Sequence, residues 1–341
     1  MEHRRREPAP GVFRLVLPLP FPGLDRVNAY LLADGTSSTL VDCGMHLPDE
    51  PDGGWGELVA ALAAAGSAPG DITRLVITHT HIDHYGLAAR AVEETGCELW
   101  MHEASSRDLD AYRDPARGIA HLRELLTDHG VGVDELDELT AFEDWTRFIS
   151  GVIEPWRAVT GGERFSVGSR EWEVVYTPGH AVSHICLWSA SDRILISGDH
   201  LLPTITPHID FERYGEEDPL GEFLDSLSRI ERLDPALVLP GHGAPFENGA
   251  ERARIVARHH DRRLGSILQV VRREPHTAQE ITDEIFGEAL LHFQRRLALG
   301  EALAHLAYLR KRGEVERVES GGGTYRYVKA KRPYRSEDEE E

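Results

Sequence analysis

An α/β fold is what the sequence predicts, and three observations predict it. Short apolar or alternating runs of strand length are separated by stretches with helical spacing, and the same order of runs occurs twice along the first 250 residues. Beyond about residue 250 the texture changes to charged amphipathic helices followed by two alternating segments around glycines. The expected organisation is a 1–250 catalytic region with a helical insertion over about 104–160, a small 251–332 domain, and an acidic tail over 333–341.

In the first half, strands are expected near Val12 to Leu17, Val27 to Leu32, Thr39 to Val41 and Leu75 to Ile77, with helices at Trp55 to Ala65 and Gly86 to Glu94. The second half repeats the theme. Strands are expected at Trp172 to Tyr176, His184 to Trp188, Ile194 to Ile196 and 236–240, with a helix near Leu220 to Leu233. Between the halves, Ile119, Leu122, Leu125 and Leu126 have helical spacing, and an aromatic-rich stretch, FEDWTRFISGVIEPW, follows. In the C-terminal region Thr277 and Glu280 form a capping-box pattern ahead of Ile281 and Ile285. Leu299, Leu303, Leu306 and Leu309 stripe a second helix that Gly313 can end, and GEVERVESGGGTYRYV reads as a hairpin. Helix, helix, hairpin is a winged-helix-like outline; a small packing domain has the same order.

The 341 residues are 41% hydrophobic, enough for a substantial core. A net charge of −21 disfavours non-specific binding to nucleic acid or anionic lipid. That charge is uneven: residues 251–335 carry 18 basic against 11 acidic groups, a balance of +7, and residues 1–250 a balance of −23. Cys43, Cys97 and Cys186 form no CxxC pair, so neither a disulfide framework nor a thiolate zinc site is indicated. A reducing cytoplasm fits that usage. The basic N-terminus is followed by a segment broken by Arg14 and prolines, which suits a first strand better than a signal peptide. No run reaches the ~18 apolar residues of a membrane span.

One stretch carries chemistry. After the apolar run at Leu75 to Ile77 the chain reads THTHIDHYG over residues 78–86. In an extended segment, side chains two apart face the same way, so His79 and His81 can approach one cation together. The turn into the following helix can swing Asp83 and His84 toward a second. Imidazole and carboxylate suit zinc, with manganese or iron as alternatives. A solvated polar loop needs no metal, but the metal reading requires further ligands at loop positions after strands. They are present: TPGHAVSH (177–184), SGDH (197–200) and PGHG (240–243) each follow an apolar run.

These motifs resemble the metallo-β-lactamase superfamily, whose H-x-H-x-D-H signature is matched by His79, His81, Asp83 and His84. The resemblance covers about residues 12–248 and implies a four-layer αββα sandwich with its site at the sheet edges. It implies that His79, His81 and His180 hold one metal, that Asp83, His84 and His242 hold the other, and that Asp199 bridges them. Asp42 in LVDCG resembles an early aspartate that supports the histidine loop by hydrogen bonding, and a simple turn cap is the other reading of it. Two departures stand out. Ala181 and Ser183 occupy the Thr and second Gly positions of a T-P-G-H-T-x-G-H pattern, so His184 is expected to orient rather than ligate, and the insertion between the halves is long.

Two Zn2+ ions per chain, about 3.5 to 4 Å apart, would share a bridging hydroxide at neutral pH, which makes hydrolysis the expected reaction class, with Asp83 orienting the nucleophile and Asp199 between the cations. Tyr85, His200 and His208 are candidates to donate a proton to the leaving group or to line the pocket. A small-molecule thioester or ester substrate calls for an apolar cover, which Phe142, Trp145, Phe148, Ile149, Ile153 and Trp156 could form as one helical face, although such stripes also serve ordinary core packing. An RNA or other phosphodiester substrate is the alternative, disfavoured by the acidic catalytic half. A catalytically inactive winged-helix DNA-binding regulator is a third class.

Overall fold

Strand β1 (Val12–Phe21) alternates: Leu15, Leu17 and Leu19 are buried on one side, and Val12 is buried on the other. A computed structural model describes the chain except for residues 1–5, 22, 36–37, 51, 142–144, 212–216, 320–322 and 332–341. The alternation continues through β2 (Leu24–Ala33), β3 (Ser38–Val41), β4 (Ile72–Val76) and β5 (Glu98–His102). With β6 (Arg157–Val159) they form a six-stranded sheet in sequential order. Burial on both faces explains why these strands read as continuous apolar runs rather than as half-polar ones.

One face of that sheet packs Leu31, Leu40, Leu75 and Leu99 against Leu58 and Leu62 of α1 (Trp55–Ala64), Tyr85 of the single turn α2 (Ile82–Tyr85), and Ala88 and Ala91 of α3 (Ala88–Thr95). The opposite face, with Tyr30, Leu32, Val41, Val76 and Trp100, packs onto a second sheet through Trp172, Val174, Ile185, Leu187, Ile194, Ile196 and Leu239. This second sheet has the order β12-β11-β10-β9-β8-β7, from β7 (Arg164–Val167), β8 (Arg170–Tyr176), β9 (Ile185–Ser189), β10 (Ile194–Gly198), β11 (Leu237–Pro240) and β12 (Phe246–Glu247). The result is the expected αββα layering. In each sheet the strands feeding the histidine and aspartate loops are central, and β3, β4 and β5 run parallel, as do β10 and β11.

The remaining helices are α4 (Ser105–Arg113), α5 (Pro115–Asp128), α6 (Val133–Thr140), α7 (Pro219–Leu233), α8 (Gly249–Val271), α9 (Ala278–Phe286) and α10 (His292–Lys311), followed by the antiparallel hairpin β13 (Val315–Glu319) and β14 (Tyr325–Lys329). The chain divides into two compact units: Met1–Pro115, Asp144–Pro207 and Asp225–Arg254 form one, and Ala116–Glu143, His208–Leu224 and Ile255–Glu341 the other. The border expected at residue 250 lies close to the division after Arg254, both inside the continuous helix α8, whereas 116–143, expected within the insertion, groups with the C-terminal residues. In that second unit α9 carries the expected capping box: Glu280 N donates to Thr277 Oγ1 at 3.1 Å, and Thr277 N donates to Glu280 Oε2 at 2.8 Å. Leu299, Leu303, Leu306 and Leu309 of α10 are buried.

The aromatic cover is where the structure departs most from expectation. Trp145–Phe148 is a 3-10 turn, and 149–156 has no helix, so Trp145, Phe148, Ile149, Ile153 and Trp156 share no helical face. Ile149 is in the core, and Trp145, Phe148 and Ile153 pack against that core, with both Trp145 and Phe148 set edge-on to Phe21. Trp156 is 70% exposed, and Phe142 lies outside the described residues. Burial of the aromatics against the first sheet outweighed their helical spacing. Among the described residues no helix is long and apolar enough to cross a membrane.

Candidate metal centre

The centre grows from the end of β4. Asp42, just past β3, takes a left-handed backbone (φ 58°), a conformation that Asp tolerates better than most residues. Its buried carboxylate then serves three donors: Thr78 N at 2.7 Å, Thr78 Oγ1 at 2.8 Å and His84 Nδ1 at 2.8 Å. Because His84 donates from Nδ1, its Nε2 is left to face the cluster. After Thr78 the chain stays extended through His81, which caps α2, and that single helical turn carries Asp83 and His84.

Loops from the second sheet complete the arrangement. His79 Nε2 lies 3.0 Å from His81 Nδ1, and the His180 ring centre lies 5.0 and 4.6 Å from those of His79 and His81. Asp199, just past β10, puts Oδ1 3.4 Å from His84 Nε2, and Oδ2 3.4 Å from His242 Nε2 and 3.8 Å from His180 Nε2. His242 Nε2 also sits 3.1 Å from Asp83 Oδ2. Three groups of possible ligand atoms result: His79 with His81 and His180, His79 with His84 and Asp199, and Asp83 with His84 and His242, each within 4.8 Å. All seven residues singled out as metal ligands are therefore brought together.

Neighbouring groups fix the imidazoles. His242 Nδ1 donates to the Arg26 carbonyl at 2.9 Å, which leaves Nε2 as its inward atom. His184 is not a member of these ligand groups; its Nε2 accepts the Asp199 backbone N–H at 3.2 Å and its Nδ1 donates to Thr177 Oγ1 at 2.8 Å. It holds Asp199 in place. Gly241 allows the closest approach: a Cβ there would stand 2.2 Å from Asp199 Oδ1 and 2.7 Å from His84 Cε1.

Charge follows from this crowding. Burial, reinforced by neighbouring histidines, holds His79 well below the ordinary imidazole range and brings His81 down to about 3. Both are neutral, as ligands must be. Burial opposes the charge on His84 and His242, but carboxylates overcome it: Asp83, Asp199 and Asp42 push His84 well up, and Asp199 and Asp83 take His242 up to about 10. Burial also opposes ionisation of Asp83, yet His84 and His242 bring it down to about 2; Asp199 is held well below the carboxylate range by the same two histidines. Without a cation, protons on His84 and His242 therefore balance the two ionised carboxylates, and a bound cation would displace them. His84 Nε2 and Asp199 Oδ1 are buried and make no hydrogen bond, the condition a cation between them would relieve. The residues present fit divalent cations.

The sequence model described as "Metallo-beta-lactamase superfamily" matches residues 22–242, a span that contains strands β2 to β11 and every loop of the candidate centre. The chain belongs to the metallo-beta-lactamase superfamily. A second family, "Metallo-beta-lactamase-like, C-terminal domain", matches residues 264–330. The chain is 27% identical over 330 residues to the "Probable metallo-hydrolase YqjP" of Bacillus subtilis (strain 168), covering 92% of this chain and 97% of that one. It is 26% identical over 276 residues to the "Atrochrysone carboxyl ACP thioesterase" of Aspergillus fumigatus, covering 77% and 69%. A solved beta-lactamase domain protein from Burkholderia ambifaria superposes with a TM-score of 0.81 at 32% identity, covering 94% of this chain and 93% of that one. Membership in the metallo-beta-lactamase superfamily makes the chain a metal-binding hydrolase of this fold.

Tyr85, His200 and His208 are the candidates to donate a proton or to line the pocket. The Tyr85 hydroxyl accepts from Ile153 N at 2.8 Å, and burial raises it to about 12; the ring belongs to the core under the first sheet. His200 is buried, and that burial takes it down to about 3. His208 belongs to the second compact unit, where it faces Asp210 at 3.9 Å and Glu301 at 4.0 Å. Sequence reasoning missed two residues that shape the centre. Asn28 on β2 donates from Nδ2 to the carbonyls of Pro240 and Gly243, both at 2.8 Å, and so holds the loop that carries His242; its signal was an asparagine inside RVNAYLL. Asp108 on α4 accepts from Ser183 N at 3.2 Å and from the Ser183 hydroxyl, clasping the loop between His180 and His184. It gave no sequence signal, because α4 is otherwise polar.

Proposed function

We propose that this chain is a dinuclear, zinc-dependent hydrolase acting on a carboxylic thioester or ester. The observation that carries the reading is the convergence of four separate loops on one point, with Asp199 within 3.8 Å of imidazole nitrogens from His84, His180 and His242. His79, His81 and His180 would hold one cation, Asp83, His84 and His242 the other, with Asp199 between them. When bound, two such cations supply an acidified water as nucleophile and polarise the acceptor oxygen.

The chain's own residues do the remaining work. Asp83 and Asp199, held ionised, offer acceptor oxygens that orient the attacking water. Asp42 and the Arg26 carbonyl fix the imidazoles of His84 and His242, and Thr177 through His184 fixes Asp199, so that little reorganisation is needed on binding. The thioester preference rests on the fungal relative described as an acyl-carrier-protein thioesterase. The acidic first 250 residues, at −23, favour it over an RNA substrate. We read the helix–helix–hairpin of the C-terminal residues as winged-helix-like in form and as a packing element in role.

Metal analysis followed by a panel of acyl-thioesters, esters, a phosphodiester, short RNA and a β-lactam tests this reading. Thioester turnover that disappears in His81→Ala and Asp199→Ala together with bound zinc is the expected result. Turnover of RNA or phosphodiester at higher kcat/KM than any thioester would overturn the substrate assignment, and undiminished turnover in Asp199→Ala the site itself.

A further inference from the structure

A second cluster of metal-competent side chains lies far along the chain from the first, and no step of the proposed reaction uses it. His260 on α8 and Glu301 and His305 on α10 bring one ligand atom each within 4.8 Å of one another, the same spacing that joins the three groups of the first centre. All three belong to the second compact unit. Glu301 and His305 are one helical turn apart and so share a face of α10. We propose that His260, Glu301 and His305 form a separate, mononuclear divalent-cation site, with zinc as the cation its two nitrogens and one oxygen suit best.

Four observations support it. His260 Nδ1 lies 3.2 Å from His305 Nε2, the separation that two imidazole ligands of one tetrahedral zinc adopt at about 2.0–2.1 Å each. His305 donates from Nδ1 to the Glu301 backbone carbonyl at 2.7 Å, which leaves Nε2 with its lone pair directed at His260. His260 is 1% exposed and meets His305 through Nδ1, and beside them Glu301 Oε1 is buried with no hydrogen-bond partner. A cation in the gap would give that carboxylate oxygen the partner it lacks.

Arg263 Nη1, 3.6 Å from Glu301 Oε1, and His208 Nδ1, 4.0 Å from Oε2, are outer partners of the carboxylate. The cation would pin α8 to α10 and stabilise the second unit; no reaction is assigned to it.

The test is a difference in stoichiometry, independent of the first centre and of any activity. Zinc per chain is measured by mass spectrometry of the full-length protein after dialysis, for wild type and for His260→Gln, which keeps a hydrogen-bonding group toward His305. The expected loss is one equivalent. A parallel titration with Co2+ uses His79→Ala/His84→Ala/Asp199→Asn, in which the first centre is disabled; one cobalt with visible d–d absorption is expected, abolished by adding His260→Gln. Equal zinc in wild type and His260→Gln, or cobalt uptake that His260→Gln leaves unchanged, overturns the site. Loss of the first centre's metals alone would sink the proposed hydrolase and leave this difference of one equivalent intact.

Discussion

At the scale of single residues the centre depends on side chains that would touch neither metal nor substrate. Asp42 serves three donors at once, so Asp42→Ala frees His84 to rotate and leaves Thr78 N unpaired. A loss of about 10–100-fold in zinc affinity is expected, read by competition with a chelating dye. An unchanged affinity would reduce Asp42 to a turn cap. Asp108 makes a different prediction. Burial raises its carboxyl to about 6, above its unfolded value, so the folded chain holds that proton more tightly. The stability this gives is complete below about pH 4 and is lost as pH rises through about 6. Asp108→Asn should therefore raise Tm relative to wild type at pH 8 and do so much less at pH 5; equal shifts at both would contradict the raised pKa. The seven ligand positions were legible because imidazoles and carboxylates after apolar runs are rare and mutually reinforcing. Asn28 and Asp108 were not, because their partners, Pro240 and Ser183, are distant in sequence.

At the scale of elements, local chemistry was read well and long-range pairing poorly. The capping box at Thr277 and Glu280 is set by four consecutive residues and formed as expected. Thr277→Ala should cost about 1 kcal/mol, visible as roughly fivefold faster amide exchange over Ala278–Phe286. Unchanged exchange would show the cap to be redundant. By contrast β6 has three residues and β12 two, too short for any periodicity, and each exists only because a neighbouring strand offers a free edge. The 142–156 stretch failed for the opposite reason: its helical spacing was real, but Phe21 on β1 captured Trp145 and Phe148 edge-on. Tertiary packing overrode a pattern that was correct in isolation.

At the scale of the whole molecule the ligand loops come from both sheets. Those at 79–84 follow β4 of the first sheet, while His180, Asp199 and His242 follow β8, β10 and β11 of the second. Cations that bind only this docked arrangement stabilise it by mass action, by about 2.7 kcal/mol at free metal a hundred times Kd. Stripping the protein with a chelator should lower its Tm, and added Zn2+ should restore it; a Tm indifferent to both would mean that the cluster stands unaided. The two-layered sheet core was visible in the sequence as short apolar or alternating runs of strand length. The grouping of 116–143 with the C-terminal residues was not, since it is set by contacts distant in sequence.

The clasp of Asn28 on the Pro240 carbonyl spans 212 positions of sequence. A ribosome must therefore release the chain past Pro240 before this clasp can form. The loop that carries His242 is therefore secured only after the ligand-bearing strands of both sheets have been made.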